Sequence, residues 1–229
     1  MVRDCRQSVP APTEEATIAA SMKPATWAYS EKFVGEDDVL AQARETAKGF
    51  TAPPVSPGAG AALRFLAASL SARNVVEVGT GCGVSGTWLL RGMRPDGVLT
   101  SVDVDAEHQR HARQTFAAGG FAPQRARLIT GAALDVLSRL SDAHYDLVFC
   151  DGDKKEYAEY LTAAHRLLRP GGVVAFDNAL WHDKVADPAA RDPETTAIRD
   201  LGTTMLESED WVSVLLPTGD GLLCGVKQG

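Results

Sequence analysis

Residues 75–86 read VVEVGTGCGVSG, and the fold turns on this stretch. An apolar run carrying one acid, Glu77, leads into four glycines: Gly79, Gly81, Gly83 and Gly86. Glycine takes positive φ freely and has no side chain to hold a ligand away, so so bare a loop lets a ligand approach the backbone closely. Residues 81–86 also fit G-x-G-x-x-G between a strand and a helix, the setting in which a dinucleotide fingerprint counts. Asp103 follows Gly86 by 17 residues, near the distance of a ribose-binding acid. A nicotinamide or flavin ligand is therefore one reading of the loop. Glu77 favours another, because a carboxylate facing the loop repels a pyrophosphate and attracts an amine.

Outward from the loop the chain alternates. NVVEVG, GVLTSVDVD, ARLITG, YDLVFCD and GGVVAFDN read as strands; GVSGTWLLRGM, AEHQRHARQTFAAGG, AALDVLSRLSD and KKEYAEYLTAAHRLLRP read as the helices between them. Such alternation predicts a doubly wound α/β fold with a mostly parallel sheet covered on both faces. Near the end the rhythm changes. WVSVLLP and LLCGVK, joined by TGDG, predict an antiparallel hairpin and bring the sheet to seven strands, an arrangement unlike the usual dinucleotide-binding sheet.

Upstream, Val39, Leu40, Ala43 and Ala47 recur at helical spacing after the acidic stretch 36–38. A Pro/Gly break, TAPPVSPGAG, precedes AALRFLAASLSA, a helix apolar nearly all round and so expected to pack on the sheet. Residues 1–25 read as a flexible arm and 26–229 as one domain, with 26–52 an N-terminal helical segment. The first 21 residues hold no continuous apolar run, so no secretion leader is expected. A formal net charge of -7 over 229 residues argues against general nucleic-acid or anionic-membrane binding. Four cysteines (Cys5, Cys82, Cys150 and Cys224) form no CxxC pair, which fits a reduced, cytoplasmic chain.

The strand ends carry the chemistry. FCDGDK supplies Asp151, Asp153 and Lys154, and AFDN supplies Asp177 and Asn178. Ligands of open α/β sheets bind at the carboxyl ends of the strands, so these groups should converge beside the glycine loop. Asp151, Asp177 and Asn178 offer three hard oxygen donors suited to Mg²⁺, Ca²⁺ or Mn²⁺, although a strand-end Asp also often caps the next helix.

These blocks resemble a known family. E-x-G-x-G-x-G at residues 77–83 is similar to the first motif of class I S-adenosylmethionine-dependent methyltransferases. YDLVFCDGDKKEY, LLRPGGVVAFDNALW and LLPTGDGLLCGVK resemble the later blocks of the cation-dependent O-methyltransferases, which include catechol and caffeoyl-CoA enzymes. The resemblance runs from about residue 55 to 227 and implies the Rossmann-like methyltransferase fold.

Position by position, it implies that Glu77, Gly79, Thr80 and Ser85 hold the methionine part of S-adenosylmethionine. Asp103 would bridge the ribose hydroxyls, Ala133 would border the adenine, and Val55, Asp151 and Asp153 would lie against the cofactor. Asp151, Asp177 and Asn178 would ligate a divalent cation, Mg²⁺ first among the candidates, and Lys154 matches the family's general base. Trp181 and His182, at the expected mouth of the site, are candidates for contact with the acceptor.

The implied activity is methyl transfer from S-adenosylmethionine to a hydroxyl of a small catechol-like molecule with vicinal hydroxyls, by an enzyme that pairs with a second copy of itself. Where this chain departs from the family, APPVSPGAG leaves Val55 a backbone contact only, and the short loop after Trp181 argues against a coenzyme A ester. His108, His111 and His165 fall in predicted helices among polar neighbours and read as residues without a catalytic role. The rival readings are an NAD(P)-dependent oxidoreductase, a metal-independent methyltransferase and a non-catalytic cofactor-binding protein.

Overall fold

The computed structural model describes residues 23–50 and 53–229. Seven strands form one sheet: β1 (Asn74–Val78), β2 (Val98–Asp103), β3 (Ala126–Thr130), β4 (Tyr145–Cys150), β5 (Leu168–Phe176), β6 (Trp211–Leu216) and β7 (Leu222–Lys227). Their order is β3-β2-β1-β4-β5-β7-β6. β1 to β5 run parallel to one another, while β7 runs antiparallel between β5 and β6. The expected doubly wound sheet with a terminal hairpin is therefore present. The antiparallel β7 departs from the all-parallel sheet that a nicotinamide-binding reading predicted.

Helices cover both faces. α1 (Pro24–Glu31), α2 (Asp38–Ala47), α3 (Pro57–Ser69), α4 (Val84–Gly92) and α5 (Ala106–Ala118) precede β3; α6 (Ala133–Leu137), α7 (Tyr157–Leu167) and α8 (Pro193–Glu207) follow it. Successive strand side chains point to opposite faces, so each strand feeds two cores. On one face Val75, Leu99, Leu147 and Phe149 pack with Leu40, Leu63, Trp88 and Phe116. On the other, Val76, Val148 and Phe176 pack with Leu137, Tyr157, Leu167 and Leu201. Glu77 shares the first face with Val75, which directs it toward α4.

Several local expectations are adjusted. α1 begins at Pro24, inside the stretch read as an arm, while residues 1–22 of that arm lie outside the described residues. The helix expected over AALDVLSRLSD ends at Leu137. α3 is not buried all round: Ala59, Gly60, Leu63 and Ala67 face the core, but Phe65 is 71% exposed. The β6–β7 connection is five residues, 217–221, rather than four. Among the described residues no helix is long and apolar enough to cross a membrane.

Candidate active site

The glycine loop lies where β1 hands over to α4. Gly79 (φ 91°), Gly81 (φ 48°) and Gly83 (φ 85°) are all left-handed, a conformation that side chains with a Cβ resist. Gly79 has a second reason to be glycine, since a Cβ there would run into the carbonyl oxygen of Asp151. That close approach draws the ends of β1 and β4 together. Gly83 is the N-cap of α4, so the free N–H groups of the helix's first turn open onto the loop.

Beside the loop lies a cavity of about 390 Å³. Val55, Gly79, Thr80, Ser85, Asp103, Ala133, Asp151 and Asp153, eight of the residues singled out from the sequence, line it. Val55 also gives its backbone carbonyl to the Arg44 guanidinium at 2.6 Å. Asp103 ends β2 with both oxygens engaged. One accepts from the Asp105 N–H at 2.9 Å; the other accepts from the Gly81 N–H at 2.9 Å and faces His108 Nδ1 at 3.1 Å.

Glu77 does not line the cavity. It is fully buried beneath the loop, accepting from Ser85 Oγ at 2.6 Å and from Ser101 Oγ at 2.5 Å. Burial pushes its carboxyl up to about 7, against the pull of the two serine hydroxyls, and the charges of Asp151 and Asp103 push the same way. Ser85, which it holds, is the residue of this pair that lines the cavity. Ser101 is bonded in turn to Thr80 Oγ1 at 2.6 Å, and Gln109 Nε2 donates to Thr80 Oγ1 at 2.9 Å.

The carboxylates of β4 and β5 adjoin the cavity at Asp151. The Asp177 N–H donates to the Cys150 carbonyl at 3.1 Å, and Tyr157 Oη donates to the Asp177 carbonyl at 2.9 Å. This holds the two strand ends in register. Lys154, buried at the start of a 3₁₀ turn (Lys154–Glu156), donates to Asp151 Oδ1 at 2.9 Å. Its Nζ lies 5.0 Å from the Tyr157 ring centre and 5.8 Å from that of Trp181. Asp153 caps the 3₁₀ turn, accepting from the Lys155 N–H at 3.0 Å. Burial raises Asp151 while Lys154 opposes the rise; burial first, then the charge of Asp151, pushes Asp177 up to about 7. Asn178 follows at φ 57°, which Asn tolerates better than most residues.

The half-buried Asp151 and the buried Asp177, whose carboxyl the charge of Asp151 helps to raise, stand with an amide next in line as oxygen donors whose excess negative charge a hard divalent cation would relieve. Such an ion fits the residues present. Among the described residues, however, no group of three or more His, Cys, Asp or Glu is arranged to hold a metal. Beyond Asn178, Trp181 stacks on His182 with ring centres 5.4 Å apart, outside the lining of the cavity.

Sequence reading missed several neighbours. Phe50 and His108 line the cavity, their rings edge to face at 4.7 Å. A signal for His108 was present, since it lies in the first turn of α5, where side chains lean back toward the helix N-terminus and so toward Asp103. Tyr160 and Glu156 also line the cavity, and Tyr160 Oη donates to Glu156 Oε2 at 2.6 Å. His111 packs edge to face on Phe50, and His165 on Trp211.

The family model described as O-methyltransferase matches residues 30–228. A Mycobacterium tuberculosis (strain H37Rv) protein bearing an O-methyltransferase name is 47% identical over 209 residues, 91% of this chain and 93% of its own. Among solved structures, the O-methyltransferase TomG of Streptomyces achromogenes, involved in tomaymycin synthesis and crystallised with S-adenosylmethionine, is 30% identical. It superposes with a TM-score of 0.80 over 91% of this chain and 100% of its own. An O-methyltransferase of Bacillus cereus in complex with SAH (S-adenosylhomocysteine) is 27% identical, with a TM-score of 0.79 over 89% and 99% of the two chains. The chain belongs to the O-methyltransferase family, and its enzyme class is methyl transfer to oxygen. The oxidoreductase reading of the glycine loop falls with that assignment.

Proposed function

We propose that this protein is a divalent-metal-dependent O-methyltransferase that moves the methyl of S-adenosylmethionine to a hydroxyl of a small, catechol-like acceptor. The observation that carries the reading is the position of Asp151. It lines the cavity, pairs with the buried Lys154, and crowds Asp177, whose chain continues directly into Asn178.

The cavity suits an adenosyl amino acid. The open end of α4 favours a carboxylate, Asp103 accepts from ribose hydroxyls, and Ala133 leaves flat space beside it. When bound, the cofactor supplies a methyl group on a positively charged sulfur. Asp151, Asp177 and Asn178 would hold the cation, which when bound orients two adjacent hydroxyls and acidifies one of them. Lys154, in the neutral amine form that the charge of a bound cation would favour, would receive the hydroxyl proton at Nζ, while Asp151 and the rings of Tyr157 and Trp181 keep that nitrogen in place. Since the reaction is an in-line displacement, alignment by these fixed side chains is the main catalytic contribution.

The described thiols, Cys82, Cys150 and Cys224, are free and buried, which suits a reducing cytoplasm. A second copy of the chain is the partner we expect. Phe65 of α3 is exposed on the same sheet face as Val212, Val214 and Val226 of the β6–β7 edge.

The test is transfer of labelled methyl from S-adenosylmethionine to a panel of simple catechols, with Mg²⁺ and then with EDTA. Transfer that Mg²⁺ supports and EDTA stops is the expected result. Transfer that survives EDTA would transfer the claim to a metal-independent enzyme. No transfer, with calorimetric cofactor binding intact, would remove catechols as acceptors.

A further inference from the structure

We propose that Asp220, in the turn between β6 and β7, is a positioning residue that holds loop 178–183 and so sets where Asn178 and Trp181 stand. The inference rests on the reading of that loop as the metal and acceptor edge of the site.

The loop is strained. Asn178 (φ 57°), Trp181 (φ 49°), His182 (φ 55°) and Asp183 (φ 66°) all take the left-handed conformation. Each such residue is strained and persists only where its surroundings over-determine it. The surroundings here are the β6–β7 turn. The Ala179 N–H donates to the Gly221 carbonyl at 2.9 Å, the Leu180 N–H to the Asp220 carbonyl at 2.8 Å, and the His182 N–H to Asp220 Oδ1 at 2.7 Å. Gly221 lies so close that a Cβ there would come within 2.8 Å of the Leu180 nitrogen.

Among the described residues, Asp220 supplies the one side-chain hydrogen bond from this turn to the loop. The turn itself is fixed from its far side, where Glu31 of α1 accepts from Thr218 Oγ1 at 2.9 Å and from the Gly219 N–H at 2.7 Å. Asp220 is thus an anchored carboxylate gripping a strained backbone. Its other oxygen, Oδ2, is buried without a hydrogen-bond partner among the described residues and lies 3.4 Å from His182 Nδ1. That ring stacks on Trp181, whose own buried Nε1 is also unpartnered. A half-buried carboxylate with one buried, unpartnered oxygen, near enough to Asp177 to raise it, is costly to the folded state. Its cost argues for a role in placing the loop rather than in general stability.

Hydrogen exchange of the wild-type chain, Asp220→Ala and Asp220→Asn tests the idea, read by mass spectrometry on peptides spanning 178–183 and on β4 and β5. In Asp220→Ala the loop amides should exchange about tenfold faster, the loss of a charge-assisted hydrogen bond, with β4 and β5 unchanged. Asn keeps an acceptor oxygen and should stay within about twofold of the wild type. Mn²⁺ titration by electron paramagnetic resonance should show affinity lowered about tenfold in Asp220→Ala, while calorimetric binding of S-adenosylhomocysteine holds. Unchanged loop exchange in Asp220→Ala, equal loss of protection across the sheet, or an Asn variant as loose as the Ala variant would each overturn the proposal. Should Asp220→Ala not fold, Asp220→Glu takes its place, since it displaces the oxygens by one methylene. A wild-type chain that binds no Mn²⁺ would sink the metal reading, and the exchange data would still decide the positioning role.

Discussion

Glu77 is a carboxylate with no solvent exposure and two hydroxyl donors, Ser85 and Ser101. Its carboxyl sits at about 7 against an ordinary 4.5, so between those values the folded chain holds a proton that the unfolded chain has released. The associated stability is fully present below pH 4.5 and is lost as pH rises through about 7. By linkage the loss amounts to about 3 kcal/mol. Glu77→Gln should therefore gain on the wild type as pH is raised from 5 to 8, measured as the difference in chemical-denaturation midpoints; a constant difference would refute the assignment. His108 makes a second residue-level case. Its Nδ1 faces the same Asp103 oxygen that Gly81 holds, and its ring borders the cavity. Replacing it by Ala should weaken calorimetric binding of S-adenosylhomocysteine about fivefold, the value of one ordinary hydrogen bond. Asp103→Ala, which removes the whole acceptor, should weaken it further. Asp103 could be singled out because it follows a glycine motif at a familiar distance. His108 was harder to single out, because its polar neighbours mask the one signal it carries, its place in the first turn of α5.

The elements were legible where pattern and punctuation agreed. VVEVG and DLVFCD are apolar on both faces, as buried parallel strands must be, and glycine marks the turn that follows the first. Pattern failed where contact decides. AALDVLSRLSD has helical composition throughout, yet α6 stops at Leu137. α3 looked apolar all round, yet only one stripe of it meets the core. The β1–α4 junction provides the test at this scale. Gly79→Ala would place a Cβ against the Asp151 carbonyl at φ 91°, so it should destabilise the fold by about 2 kcal/mol or more and displace the end of β4. Urea denaturation reads the first effect. A smaller loss than that of Gly81→Ala, where a Cβ meets nothing within 4 Å, would contradict the close-approach account.

For the whole molecule, the sheet order decides which loops meet. Insertion of the antiparallel β7 between β5 and β6 carries the β6–β7 turn to the carboxyl end of β5. There it grips the loop after Asn178, while Glu31 ties the same turn to α1 across 187 residues of chain. Phe65, Val212 and Val214, exposed among the described residues, also belong to this scale, since a second copy of the chain is the cover we expect for them. We expect the wild-type chain to sediment as a dimer and Val212→Lys with Val214→Lys to sediment as a monomer. A wild-type monomer at micromolar concentration would remove the expected partner.

The sequence by itself determined the alternation of strands and helices, the left-handed glycine loop and the carboxylates at the strand ends. Each of these is written locally, in side-chain period, in glycine's freedom of φ and in spacing along the chain. Tertiary structure alone decided that Glu77 lies beneath the loop rather than in the cavity, and that the ring of Trp181 stands 5.8 Å from Lys154 Nζ. It also decided that Asp220 reaches His182 and Glu31 reaches Gly219. These contacts join residues brought together only when the sheet is assembled, and neither hydrophobic period nor local spacing encodes which polar groups then meet.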